Sequence, residues 1–208
     1  MPTHQHAKSK KPHAKPHKPS AKQTKPFAKP QKPHVKQKSS IPLLTVALLQ
    51  EIRSLVETNN KSKQSTEMVI CQIYKESSFN KNTGKGGNGA KGLMQLRKNA
   101  VAQLFQERYE KEHGTITKEH IKILKQVHKQ GQDFHNSEQM FDAATNIRYG
   151  TEYLQSLIDK NGISAGYQKY RGNEEFDYYS KIKACAAQLK NNPNSLGPLI
   201  EMNEKKKQ

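Results

Sequence analysis

Ile73-Tyr-Lys-Glu76-Ser77-Ser-Phe79-Asn80 leads into a segment, residues 80–91, that holds four glycines; the chain leaves it through Gly89-Ala-Lys-Gly92-Leu93-Met94-Gln95-Leu96. Ser65-Thr66-Glu67 supplies a helix-opening signal upstream, so the spacing predicts a helix through Met68 to Ser77. Val69, Ile73 and Glu76 stand at i, i+4 and i+7 and share one face. The two aliphatic residues point inward, which leaves the Glu76 carboxyl at the end of an apolar stripe, beside a segment that glycine keeps in loop. Partial desolvation disfavours the charged form of a carboxyl and raises its pKa. An acid still protonated near neutral pH is what general acid catalysis requires. A glutamate at a helix end is otherwise a solvated one, so its neighbours decide.

Outward from this stretch, helical periodicity dominates. Leu44, Leu48, Leu49, Ile52, Leu55 and Val56 form one stripe, broken by Asn59-Asn60-Lys-Ser-Lys63. Further helices are predicted near 96–111, 117–129, 138–159 and 176–190, the last three on Ile121, Leu124 and Val127, on Ile147, Leu154, Leu157 and Ile158, and on Ile182, Cys185, Ala186 and Leu189. No segment alternates as a strand would. The expected fold class is mainly α: one helical domain over 41–200, a disordered tail over 1–40 and a frayed end over 201–208.

Charge separates these parts. The 208 residues carry a formal net charge of +18. Residues 1–40 hold 11 Lys, five His and seven Pro, no Arg, Asp or Glu, and only seven apolar residues, in a loose repeat such as Lys11-Pro-His-Ala-Lys-Pro-His-Lys-Pro19. Proline excludes helix interiors and strand ladders, like charges repel, and too little apolar surface offsets the entropy of ordering. An extended polycationic arm is expected, suited to an anionic polymer, a membrane surface or a delivery partner. The rest has ordinary globular composition. This excludes disorder throughout and weakens the case for a nucleic-acid-binding fold; no specific nucleic acid is expected as a partner. The apolar run Ile41 to Leu49 is short of the ~20 residues of a transmembrane helix. It follows a long basic segment and precedes no small-residue cleavage site, so it is read as the opening of the domain rather than as a signal peptide. Cys71 and Cys185 fall on apolar helical stripes and are expected to be buried thiols rather than a bridge. His113, His120, His128 and His135 lack the spacing of a metal site on one helix face and fit a surface insertion. No metal and no cofactor are expected.

Three more motifs follow in order: Phe141-Asp-Ala-Ala-Thr-Asn146-Ile147-Arg-Tyr-Gly150-Thr-Glu-Tyr153-Leu154, Tyr170-Arg-Gly172 and Tyr178-Tyr-Ser-Lys-Ile182. Together with Glu76-Ser77 and Gly92-Leu93-Met94-Gln95, this ordered set resembles the soluble lytic transglycosylase (SLT) family, relatives of goose-type lysozyme, over roughly residues 44–190. The resemblance implies a lysozyme-like helical fold, peptidoglycan glycan strands as substrate, and one catalytic acid, Glu76. That acid would protonate the β-1,4 glycosidic oxygen between N-acetylmuramic acid and N-acetylglucosamine. It would then act as base on the muramic acid C6 hydroxyl, closing a 1,6-anhydro ring. Glycosidases generally use two carboxylates, yet no Asp and no further Glu lies between Glu76 and Glu107, which matches a single acid reused as base. Asp142, Glu152, Glu174, Glu175 and Asp177 stay open as a second carboxylate. The resemblance also implies Ser77 bonding near the acid and Gly92, Leu93, Met94 and Gln95 lying along the glycan. Gln95 and Asn146 would serve sugar hydroxyl and acetamido groups, and Tyr170 and Tyr178 would stack on sugars or orient Glu76. Two features depart from the family pattern: its Tyr-Asn becomes Tyr170-Arg171, exchanging an amide for a cation, and a long insertion separates Gln95 from Asn146.

Two alternatives stay open, a muramidase that hydrolyses the same bond and, from another class, a non-catalytic glycan- or polyanion-binding protein. Action is expected at the bacterial cell wall or periplasm, reached by a specialised route or after lysis. A phage-type lytic enzyme and an antibacterial secreted effector both fit; the basic arm favours the effector, whose producer would need an immunity protein. Deleting residues 1–40 is expected to weaken binding to whole walls at low salt and to spare cleavage of soluble fragments. Wall pelleting run beside a soluble-fragment assay checks this; loss in both assays would refute the division of labour.

Overall fold

The computed structural model describes residues 42–114, 117–172 and 176–204. The tail over 1–40, the last four residues, Glu174 and Glu175 lie outside the described residues. Among the described residues the fold is helical, as expected: α1 (Val46–Asn59), α2 (Thr66–Ser77), α3 (Lys98–His113), α4 (His120–Asn136), a 3-10 turn (Glu138–Phe141), α5 (Ala143–Asn161), α6 (Ile163–Arg171), α7 (Tyr178–Asn191) and α8 (Gly197–Asn203). Extended pairing is limited to one isolated bridge, Lys91 with Leu96. Among the described residues no helix is long and apolar enough to cross a membrane.

The hydroxyl of Thr45 caps α1 by accepting from the Leu48 amide, and that of Ser65 caps α2 by accepting from Met68; each cap contributes about 1 kcal/mol. Helix α2 lies at the centre. Val69, Ile70, Cys71, Gln72 and Ile73 are all fully buried, because α2 packs against α1, α7 and α8 together. Arg53 of α1 donates to Glu67 at 2.8 Å and fixes the start of α2.

The predicted helix over 138–159 is two elements. Asp142 takes an extended backbone that ends the 3-10 turn, and its carboxylate accepts from the Thr145 amide at 2.8 Å to cap α5. Helices α6 and α8, of nine and seven residues, were not anticipated; so few turns carry no countable period. Helix α4 continues beyond its predicted end and forms a hairpin with α3. Gly131 permits that contact, since a Cβ there would lie 2.6 Å from the Ala102 Cα. Only Gly131 and His135 of α4 are buried, so the surface insertion holds for the helix but not for His135. Its ring bonds the Leu96 carbonyl at 2.9 Å, and burial pushes the imidazole below its ordinary pKa.

The expectation of two free thiols is corrected. Cys71 and Cys185 form a disulfide with Cα atoms 6.2 Å apart, tying α2 to α7. Their proximity is a product of helix packing and is absent from the local sequence. Closing a loop of 114 residues restricts the unfolded chain. Reduction, or a paired Cys71→Ala and Cys185→Ala substitution, is expected to lower stability by about 2–4 kcal/mol, read as a lower urea midpoint; an unmoved midpoint would contradict it.

Candidate active site

Helix α2 ends at Ser77, and the next two residues, Ser78 and Phe79, both have left-handed backbones, φ 50° and 63°. The amide of Ser78 bonds the Tyr74 carbonyl at 2.8 Å, and the Phe79 ring turns back edge-on to Tyr74, centroids 5.1 Å apart. This sharp exit leaves Glu76 in the last turn of a core helix, its side chain only 4% exposed. Its two oxygens have different partners. Tyr178, at the start of α7, donates its hydroxyl to Oε1 at 2.5 Å, and Arg171 Nη1, at the end of α6, stands 3.5 Å from Oε2. Burial first, then the negative charge of Glu76, pushes the Tyr178 phenol well above its usual range, so it remains a donor. Tyr170 is raised by the same two causes in the same order; its hydroxyl donates to the Met94 carbonyl at 2.7 Å.

The turn after the glycine-rich segment is closed by reciprocal bonds between Lys91 and Leu96, 3.0 and 3.1 Å, and by the Gln95 amide bonding the Gly92 carbonyl at 3.2 Å. Gly92 has φ +76°, and a Cβ there would lie 2.2 Å from Asn146 Nδ2. Asn146 of α5 is fully buried. Its Oδ1 accepts from the Met94 amide at 2.7 Å, and its Nδ2 donates to the Lys91 and Met140 carbonyls at 3.0 and 2.9 Å. The expected sugar contact of Asn146 is therefore replaced by a clamp on the turn. The side chains of Leu93 and Met94 are also buried; Met94 packs so closely on α5 that a Cβ at Gly150 would lie 2.4 Å from its sulfur. Ser77 is buried and donates to the Ile73 carbonyl of its own helix at 3.1 Å.

Gln95, with φ +47°, is half-buried, and its amide donates to the Gly92 and Thr83 carbonyls at 2.8 and 3.2 Å. Beside it opens a cavity of about 210 Å³ whose lining includes Gln95, Arg97, Asn99, Tyr153, Lys169 and Tyr170. The rings of Tyr153 and Tyr170 stand 5.6 Å apart. Among the described residues the lining offers aromatic, amide and cationic groups and no carboxylate; Glu76 is not part of it.

The other carboxylates have their own partners. Glu152 is held by Arg108 through two bonds of 2.9 and 2.6 Å. Asp142 caps α5, and the Thr145 bonds hold it below the usual carboxylate range. Asp177 pairs with Lys181 at 2.9 Å and is lowered by that contact. Folding thus gathers Glu76, Tyr178 and Arg171, and separately Gln95 and Tyr170. The contact of Arg171 with the acid was not foreseen from its departure from the family pattern. Gln72 was missed altogether. It is fully buried four residues before Glu76, on the same helix face, beside the Tyr178 phenol. A polar residue inside Ile70-Cys-Gln-Ile73 was the available signal. Asn146→Ala would leave the Met94 amide and the Met140 carbonyl without their Asn146 bonds and the Lys91 carbonyl with Leu96 alone, so it is expected to cost at least about 2 kcal/mol. Asn146→Asp, which cannot donate, should not restore it. A urea midpoint equal to wild type in the alanine variant would remove the clamp from the account.

A family model described as the transglycosylase SLT domain matches residues 54–174. No curated protein and no solved structure was found to match the chain. The matched residues cover more than half of the chain and run from α1 past the end of α6, taking in the acid-bearing helix, the clamped turn and Arg171 while leaving Tyr178 beyond their edge. The chain therefore belongs to the family of transglycosylase SLT domains, peptidoglycan-acting enzymes of the lytic transglycosylase type.

Proposed function

We propose that this enzyme cleaves the β-1,4 bond between N-acetylmuramic acid and N-acetylglucosamine and leaves a 1,6-anhydro end, with Glu76 as acid and then as base. In the first half, the Glu76 carboxyl proton passes to the bridging oxygen, the bond from that oxygen to muramic C1 breaks, and the N-acetylglucosamine residue leaves as an alcohol. In the second half, the Glu76 carboxylate takes the proton of the muramic C6 hydroxyl as that oxygen bonds to C1. The acid is regenerated and no water is consumed. Tyr178 orients the carboxyl through Oε1, while Gln95 and Tyr170 border the groove in which sugars would lie. Gly92, Leu93 and Met94 contribute through backbone, and Ser77 and Asn146 through the local structure they hold.

The observation that carries this reading is that Glu76 is the one enclosed carboxyl among the described candidates. Glu76 is enclosed in the core end of α2, whereas Asp142, Glu152 and Asp177 are engaged elsewhere. A hydrolase would need a second group to activate water on the opposite face of the sugar. As part of the same proposal, the enzyme acts at the wall as an antibacterial secreted effector guarded by an immunity protein in its producer; the basic arm is the support for that setting. Mass spectrometry of digested peptidoglycan tests the chemistry. Anhydro ends are expected, and Glu76→Gln is expected to lower the rate by about 10²- to 10⁴-fold with an unchanged helical spectrum. Reducing ends would select the muramidase, and binding without release of fragments the non-catalytic protein.

A further inference from the structure

We infer that Arg171 is a positioning residue that holds the Glu76 carboxyl in its charged form in the free enzyme and thereby sets the upper pH limit of catalysis. The inference rests on the role proposed for Glu76 above. Arg171 stands where the family pattern has a neutral asparagine, and a guanidinium stays charged throughout the working pH range. Its Nη1 lies 3.5 Å from Oε2, the oxygen that Tyr178 does not take. That is longer than the 2.7–2.9 Å typical of tight charge-assisted bonds, and the Arg171 side chain is 39% exposed against 4% for Glu76. The cation is thus close enough to act on the carboxyl, through partial screening by solvent. Gly172, which follows it with φ +89°, and Tyr170, which precedes it, both line the cavity beside Gln95. Arg171 thus lies between two residues of that lining without belonging to it.

The titratable groups that face or adjoin Glu76 among the described residues come from three elements. Tyr178 faces it from α7; Tyr170 and Arg171 face it from α6; Lys75 adjoins it on α2. Both phenols stay protonated, so Arg171 brings positive charge to the carboxyl and they do not. The sign follows. A nearby cation favours the ionised carboxyl; the first step needs the protonated one; so Arg171 lowers the pH above which activity falls, and its loss raises that limit. An opposite charge at this range moves a carboxyl by about one to three pH units, and exposure of Arg171 puts the effect at the low end.

The test is the pH profile of kcat/KM on soluble uncrosslinked glycan strands for wild type, Arg171→Asn and Arg171→Lys, with thermal melts alongside. The asparagine variant is expected to keep its melting transition and to move the basic limb up by about one pH unit. Arg171→Lys is expected to return the limb close to wild type. Coincident limbs in wild type and Arg171→Asn would overturn the inference, as would a uniform loss at every pH that lysine does not rescue. If Arg171→Asn unfolds, Arg171→Gln, which retains more of the side-chain stem, carries the same comparison. A wild type that releases no anhydro fragments at any pH would instead sink the role of Glu76. A wild type that is active with an immovable limb sinks only the role of Arg171.

Discussion

The pairing of α2 with α7 is fixed at two points, and the arrangement around the acid depends on it. One point is the Cys71–Cys185 disulfide; the other is the 2.5 Å bond from the Tyr178 hydroxyl to Glu76. Five residues forward on α2 correspond to seven residues back on α7, so the two helices run antiparallel and the bridge sits one to two turns from the carboxyl. A covalent tie at that distance limits sliding of one helix along the other. It holds the phenol in line with the carboxyl, a contact that a shift of about 1 Å would lose.

The second constraint joins regions more than fifty residues apart. Asn146 can bond the backbone of the Gly92–Gln95 turn only because position 92 has no Cβ. The turn can lie against α5 only because position 150 has none either. The buried amide, the two glycines and the Met94 side chain form one interlocked unit, in which each small residue makes room for a specific larger group. Buried backbone groups of an irregular segment need partners, and a single asparagine with one acceptor and two donor positions meets three of them at once.

Local signals in the sequence exposed most of this design. The helix-opening signal at Ser65, the apolar stripes of α1, α2, α5 and α7, and the glycine-rich exit from α2 are short-range patterns, and each appears where it was read. The family likeness placed Glu76 beside Tyr178. What stayed hidden depends on which helices meet. The disulfide needs α2 against α7. The clamp needs Asn146 turned inward, where an asparagine on a helix is as readily a surface residue. His135 is buried because the end of α4 returns to Leu96, although its helix is otherwise exposed. Arg171 reads in sequence as a missing amide; only the fold reveals that it replaces the amide with a charge directed at the acid.

For a carboxyl asked to release a proton and then take one back, neither form can dominate strongly. Burial at the end of a core helix favours the neutral form. The Tyr178 hydroxyl and the Arg171 guanidinium favour the charged one. Burial alone would give a ready acid and a reluctant base; the cation alone would do the reverse. Both influences act on Glu76 in opposite senses, with Tyr178 on one carboxyl oxygen and Arg171 near the other. Of the two groups that oppose burial, Tyr178 is itself buried and Arg171 is partly exposed, so solvent screens the share of the cation.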